Sequence, residues 1–311
     1  MNFGRKEVDQ SYRFCRRMTR QSRSSFYPCF AVLPRAKRRA MDAIYAFMRH
    51  TDDLVDCEAP LDHRRNALAG WRETVSASLR AAAPPPFPGK LGHINAAVGE
   101  DRGRAVLPAL ADAVRRYAIP VHHLFAVIDG VEMDLDRHCY ATFEELAEYC
   151  HRVASAVGLA CIHVWGYDGE EPLEPARQCG LAFQLTNILR DLREDAGQGR
   201  FYLPEEDLQR YGYGRRELAA GVADARFDRL VEFEVARIRD LYRQGARLVE
   251  RLSPDGRRVF GLMVSVYYRL LEEIASRPHD VLHRRISLGL LPKMRIAGRW
   301  LLLPPRRLTL P

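Results

Sequence analysis

The chain has 311 residues, 47% of them apolar and 28% charged, which describes a soluble globular protein able to bury a large interior. No stretch reaches ~18 uncharged apolar residues, which excludes a spanning helix, and "MNFGRKEVDQ" lacks the apolar core of a secretory signal, so the cytoplasm is the expected compartment. The net charge of +8 favours anionic partners, but the arginines are dispersed and never interleaved with aromatics as a stripe, which argues against nucleic acid.

In chain order, residues 1–21 read as an N-terminal arm. "PRAKRRAMDAIYAFMRHTDDLVD" then opens with Pro34 and runs as a helix without a breaker to Asp56. "DHRRNALAGWRETVSASLRAAA" predicts a second helix, stopped by "PPPFPGKLGHINAAVGEDRG", a Pro/Gly-rich insertion read as a loop over 84–103. Beyond it lie "AVLPALADAVRRYA", "PVHHLFAVIDGVEMDLDRH", "TFEELAEYCHRVASAVGLACIHVWG" and "PLEPARQCGLAFQLTNILRDLRED". Two further long segments follow, "ADARFDRLVEFEVARIRDLYRQGARLVERL" and "PDGRRVFGLMVSVYYRLLEEIASR". Pro, Gly, Thr or Asp stands at each boundary in a capping position, and no alternating β-branched run is long enough for a sheet. The prediction is an all-α single domain of about eight to ten helices, residues 22–290, followed by a basic-apolar tail over 291–311. That tail mixes Arg and Lys with Leu, Ile and Trp. It suits a peripheral contact with an anionic membrane surface or, equally, a basic segment packed across the domain.

The seven cysteines (15, 29, 57, 139, 150, 161 and 179) are scattered singly and read as small buried hydrophobes in a reducing compartment. The histidines form no zinc-ligand spacing.

Side chains three, four and seven apart share a helix face. In "RHTDDLVDCE", Arg49, Asp52, Asp53 and Asp56 fall on one stripe of about 100°, with Tyr45 at its edge. Asp52 and Asp56 stack one turn apart, an arrangement that repels in water and attracts once a divalent ion lies between them. Alone, the stripe reads as well as a solvated acidic helix end as it does as a metal site. A second stripe shifts that balance. Gln184, Asn187, Asp191 and Asp195, spaced 3, 4 and 4, line a face only about 80° wide beside an apolar one. An ordinary solvated face would be wider and richer in Lys and Glu. Two such helices can face one another across a cavity, and magnesium takes oxygen ligands from one or two carboxylates plus substrate phosphates. Arg49, Arg190 and Arg200 would neutralise a diphosphate, and a carbocation left by its departure needs a dry, apolar cavity, which a bundle interior supplies.

"LPRAKRRAMDAIYAFMRHTDDLVD", "YCHRVASAVG" and "FQLTNILRDLREDAGQGRFYLP" resemble, in order and spacing, the three signature blocks of the squalene/phytoene synthase family, a likeness running from about Ser22 to Arg285. The resemblance implies an isoprenoid synthase helical bundle with a central apolar cavity, joining two prenyl diphosphates head to head. It implies that Asp52, Asp53 and Asp56 form a first magnesium–diphosphate bank and Asp191 and Asp195 a second, with Gln184 and Asn187 on the same face. Manganese is the other candidate ion. Arg49, Arg190 and Arg200 resemble the diphosphate-binding arginines. Tyr149 matches a tyrosine implicated in proton loss or cation stabilisation. Tyr267, Arg285 and Ser25 match later pocket and entrance positions.

"YCHRVAS" carries Arg152 where eukaryotic squalene synthases have an aromatic, and "IDGVEMDLD" leans toward the bacterial presqualene diphosphate synthases and their phytoene synthase relatives. The expected reaction uses two farnesyl diphosphates and gives presqualene diphosphate or a squalene-type C30 product, in hopanoid or carotenoid biosynthesis. A phytoene synthase acting on two geranylgeranyl diphosphates is the alternative, and NADPH use stays open. A head-to-tail prenyltransferase or terpene cyclase would share the first aspartate stripe but not "QLTNILRD". A non-catalytic helical protein of the membrane surface would explain the charge but not the two aspartate banks. The protein is expected as a monomer, cytoplasmic or peripheral at the inner membrane face.

Overall fold

Pro34 caps the longest early helix as the sequence predicts, and every named element of the described chain is helical. The computed structural model describes residues 3–22, 26–80 and 98–302, with 308 and 310. Among these are thirteen α-helices with short 3₁₀ and π turns between them, and the only extended pairings are isolated bridges, Cys139 with Phe201 and Tyr167 with Leu252. The all-α expectation is met, with more helices than the eight to ten predicted. The chain divides into two compact units, Met1–Leu135 with Ala160–Trp165, and Asp136–Leu159 with Gly166–Pro311.

In the first unit the expected N-terminal arm is instead helix α1 (Arg5–Gln21). Its inner face is built from Ser11, Tyr12, Cys15 and Thr19 rather than from aliphatic residues. Its polar atoms find partners: the Ser11 hydroxyl donates to the Ala105 carbonyl at 2.6 Å and accepts from the Ala109 N–H at 2.9 Å, and the Tyr12 hydroxyl donates to Asp112 at 2.8 Å. Helix α2 (Arg35–Asp56) packs on α1, on α3 (Leu61–Arg80), on α4 (Val98–Tyr117) and on α5 (Val121–Met133). Helix α4 begins seven residues before the predicted start and takes in 98–103, the end of the expected loop. The rest of that loop, 84–97, lies outside the described residues, as does Ser25. Gly103 explains why a residue read as a breaker sits in a helix. A Cβ there would meet the His50 ring at 2.7 Å and the Trp71 ring at 2.8 Å, so only glycine lets α4 approach α2 and α3 this closely.

The second unit opens with α6 (Phe143–Cys150), capped by Thr142, whose hydroxyl accepts from the Glu145 N–H at 3.2 Å while Glu145 accepts from the Ala141 N–H at 3.0 Å. The helix predicted to continue unbroken widens into a π turn at His151–Ser155 before α7 (Ala156–Trp165). Helix α8 (Leu173–Gly197) follows, then the short α9 (Glu205–Arg210) and α10 (Arg215–Ala220), α11 (Ala225–Ala246) and α12 (Pro254–Ser276). Two glycine contacts seat α8. Gly180 lies against the Ser155 backbone, and Gly245 of α11 against Cys179, where added Cβ atoms would meet backbone at 2.5 and 2.8 Å. Residues 290–302, which take in the start of the basic-apolar tail, form α13 (Leu290–Leu302), laid on α12. No helix among the described residues is long and apolar enough to cross a membrane.

Candidate active site

Each aspartate stripe sits within its own unit. On α2 the inner face is fixed by Phe47, His50 and Thr51, all buried. The Trp71 indole N–H donates to the Thr51 hydroxyl at 3.0 Å, and the His50 ring meets Trp71 edge-on at 4.5 Å between centroids. Burial, with Arg102 nearby, lowers His50 to about 4, so it sits there neutral. Fixing this face turns Tyr45, Arg49, Asp52, Asp53 and Asp56 to the other side of the helix, as the spacing predicts.

The three carboxylates are not equivalent. Asp53 is gripped by Arg49 at 2.8 Å and lies 3.8 Å from Arg102 of α4. Asp52 has the opposite surroundings. Desolvation, then the charge of Asp56, and with smaller weight Asp134 and Asp53, push its carboxyl up to about 7, against the pull of Arg49. Asp134, at the end of α5, is a fourth carboxylate that the helix-face pattern missed. Its signal was the acidic run "VEMDLD", but only tertiary packing brings it to α2.

In the second unit Asp191 of α8 lies between two arginines. Arg190 donates through Nε to its Oδ1 at 2.8 Å and through Nη2 to Oδ2, and Arg285 Nε approaches Oδ1 at 2.9 Å. Burial opposes the charge on Arg190, but Asp191 and then the buried Tyr267 of α12 more than offset it and hold the guanidinium above its ordinary value. Arg193, off the predicted stripe, ties down the segment that carries Arg285 by donating to the Leu282 carbonyl at 3.1 Å. One and two turns earlier, the Asn187 amide donates to Gln184 at 3.4 Å, while the buried Asn187 Oδ1 has no hydrogen-bond partner among the described residues. Asp195 and Arg200 are joined through backbone: the Asp195 carbonyl accepts from the N–H groups of Gln198 and Arg200 at 3.0 and 2.9 Å across a turn with Gly199 at φ +75°.

Tyr149 is buried in a cluster with Tyr140 and Tyr202, ring centroids 5.4 to 6.1 Å apart. The latter two were not singled out in the sequence, although Tyr202 lies within a quoted block and Tyr140 between two quoted segments. Tyr267 meets Phe183 edge-on at 5.0 Å, giving α8 an aromatic neighbour one turn before Asn187. Arg152, in the π turn, pairs at the surface with Glu148, its Nε donating at 2.8 Å.

The donors are oxygens throughout: carboxylates at 52, 56, 134, 191 and 195 and amide carbonyls at 184 and 187. The mutually repelling carboxylates of Asp52 and Asp56 on α2 and, in the other unit, a buried Asn187 carbonyl oxygen with no hydrogen-bond partner among the described residues are each of the donor type that suits a hard divalent cation.

The squalene/phytoene synthase family model matches residues 19–291. A phytoene synthase of Mycobacterium tuberculosis is 35% identical over 295 residues, 94% of this chain and 91% of its own. A presqualene diphosphate synthase of Rhodopseudomonas palustris is 32% identical over 274 residues, 88% of this chain and 91% of its own. Among solved structures, a dehydrosqualene synthase in complex with ligand superposes with a TM-score of 0.79 at 25% identity, covering 95% of this chain and 96% of the other.

Proposed function

The chain belongs to the squalene/phytoene synthase family and is a prenyltransferase, and on that premise we propose that it joins two farnesyl diphosphates head to head to give presqualene diphosphate or a squalene-type product. The observation that carries this reading is Asp191 held between Arg190 and Arg285 on a face that also presents Asn187 and Gln184. A carboxylate clamped by two guanidiniums is a site built around charge, and it exchanges partners readily when a diphosphate offers its oxygens to the same arginines.

Asp52 and Asp56 on one helix, and Asn187, Asp191 and Asp195 on the other, would hold magnesium, which supplies charge stabilisation for the departing diphosphate. The chain's own residues do the rest. Arg49, Arg190, Arg200 and Arg285 neutralise the diphosphate. Asp53, beside the first bank, is paired to Arg49 and would aim that arginine. Ionisation of one allylic diphosphate leaves a cation, the double bond of the second substrate attacks it, and proton loss closes a cyclopropane. The tyrosines at 149, 202 and 267 offer ring faces to the cation, and the departing diphosphate, held by the arginines, accepts the proton.

A geranylgeranyl-using reading is favoured by a separate observation: the M. tuberculosis relative at 35% identity is named a phytoene synthase. The C30 reading is supported by the presqualene diphosphate synthase relative and by the dehydrosqualene synthase structure. Purified protein incubated with magnesium and either farnesyl or geranylgeranyl diphosphate, with and without NADPH, separates the two by product mass. A C30 product is expected. A product from the C20 substrate alone replaces farnesyl with geranylgeranyl, and turnover of neither overturns the reading.

A further inference from the structure

Seven large apolar side chains are exposed among the described residues, and the four most exposed lie on α13: Leu290 at 74%, Leu291 at 71%, Met294 at 60% and Leu301 at 54%. At about 100° per residue these four fall within an arc of about 100°. Arg295 and Arg299, both exposed, follow along one border of that arc, and Lys293 lies along the other. None of the three is in an ion pair among the described residues.

The stripe is not a core face left uncovered by a loosely placed helix. The opposite side of α13 is fixed, with Trp300 at 1% exposure and its indole N–H donating to the Ser265 hydroxyl at 2.9 Å. The ring lies so close over Gly261 of α12 that a Cβ there would collide with it. An anchored helix that presents Leu, Leu, Met and Leu outward between basic borders is built to meet something apolar and negatively charged. Residues 281–311 hold seven Lys or Arg and no Asp or Glu. A second copy docked face to face would therefore set positive charge against positive charge, whereas a bilayer with anionic headgroups complements both parts of the pattern.

We propose that α13 docks the protein onto an anionic lipid surface, its Leu/Met stripe laid into the headgroup–acyl boundary and Lys293, Arg295 and Arg299 set against lipid phosphates. The docking needs no substrate, so its test is independent of the prenyl reaction. Full-length protein is co-sedimented with vesicles of phosphatidylcholine alone and of phosphatidylcholine mixed with phosphatidylglycerol, across a salt series. Three proteins are compared: wild type, the triple variant Leu290→Gln, Leu291→Gln, Met294→Gln, and the triple variant Lys293→Gln, Arg295→Gln, Arg299→Gln. Wild type should bind the anionic vesicles and release with rising salt, and each variant should bind at least about tenfold more weakly with unchanged circular dichroism. Wild-type binding that is absent or indifferent to salt overturns the proposal, and that arm stands even if a variant fails to fold. So does full binding by the folded apolar variant. A concentration-dependent dimer in sedimentation velocity, lost in that variant and accompanied by no vesicle binding, assigns the stripe to a second copy instead.

Discussion

Arg190 takes its sequence neighbour Asp191 in a two-pronged grip, Nε to Oδ1 at 2.8 Å and Nη2 to Oδ2. Adjacent residues on a helix point about 100° apart, so the pairing requires the arginine to fold back along the surface of α8. Tyr267 interacts with that guanidinium and helps hold its charge, and Arg285 Nε reaches the same carboxylate at 2.9 Å. The group is ready-made for an anion: two arginines already converge on one point, and a diphosphate need only compete with a single carboxylate.

Asp191→Asn should therefore abolish turnover while leaving the fold intact. Loss of one preorganised charged partner in a site of this kind costs about 10²-fold or more in rate. Arg190→Lys should behave similarly, because an ammonium cannot reproduce the two-pronged geometry. Product formation and far-ultraviolet circular dichroism are measured on the same preparations. Near-normal turnover with Asn at 191 would show that the charge sits there for structural reasons only.

Asp52 leads to a different expectation, because its neighbours Asp56 and Asp134 repel it in the absence of a cation. Asp52→Asn removes that repulsion and should raise the melting temperature in chelator by about 2 °C, while eliminating turnover. Asp53→Asn removes an ion pair with Arg49 instead and should not stabilise. A gain in stability joined to a loss of activity at position 52, and absent at 53, marks a position kept charged for function. Thermal melts in chelator test the pair, and equal effects at the two positions would remove the distinction between them.

Much of this was readable from spacing, since both stripes lie within single helices and helical periodicity alone puts their members on one face. What could not be read came from elsewhere in the chain. Asp134 and Arg102 join the α2 stripe, and Arg285 and Tyr267 the α8 stripe, only through packing. The resemblance supplied the last two and not the first two. Helix α1 reads as an arm in the sequence because its buried face is built from Ser11, Tyr12, Cys15 and Thr19, which make no aliphatic periodicity. The start of α4 was hidden by Gly103, whose lack of a side chain serves close packing rather than a turn. The tail reads in the sequence as basic and apolar, but composition alone does not say that residues 290–302 form a helix laid on α12.

Asp42 gives the pH dependence a definite sign. It is 1% exposed, its Oδ1 has no hydrogen-bond partner among the described residues, and desolvation raises its carboxyl to about 6 from 3.8. Between those values the folded chain holds a proton that the unfolded chain has released. This group's contribution therefore weakens as pH rises through the window, by at most about 1.4 kcal/mol per pH unit, and is level above it. Asp42→Asn should gain stability relative to wild type as pH rises from about 4 to 6 and hold a constant difference above about 7. Denaturant melts of both proteins across that range measure the difference. A gap that narrows with rising pH would mean that Asp42 is charged in the folded protein throughout.

Gly180 tests whether the π turn supports the site. A Cβ at this position would meet Ser155 Cα at 2.5 Å, a backbone atom that cannot swing aside, and the Ser155 hydroxyl at 2.9 Å. That hydroxyl donates to the Arg177 carbonyl of α8 at 2.8 Å and contacts His151 within the turn at 3.1 Å, so it ties the π turn to α8 while bracing the turn itself. Gly180→Ala must push the turn away from α8, at a cost of about 1–3 kcal/mol in stability. The turn begins two residues after Tyr149, whose ring packs against both Tyr140 and Tyr202, so the displacement should reach the aromatic cluster as well. The expected result is a lower melting temperature together with reduced turnover at saturating substrate. Gly70→Ala, inside α3 and with nothing within 4 Å of the added Cβ, serves as the control and should leave turnover unchanged while stabilising the fold by up to about 1 kcal/mol. If Gly180→Ala lowered the melting temperature but kept full turnover, the π turn would be a packing feature alone, and the position of Tyr149 would be set by its two ring neighbours.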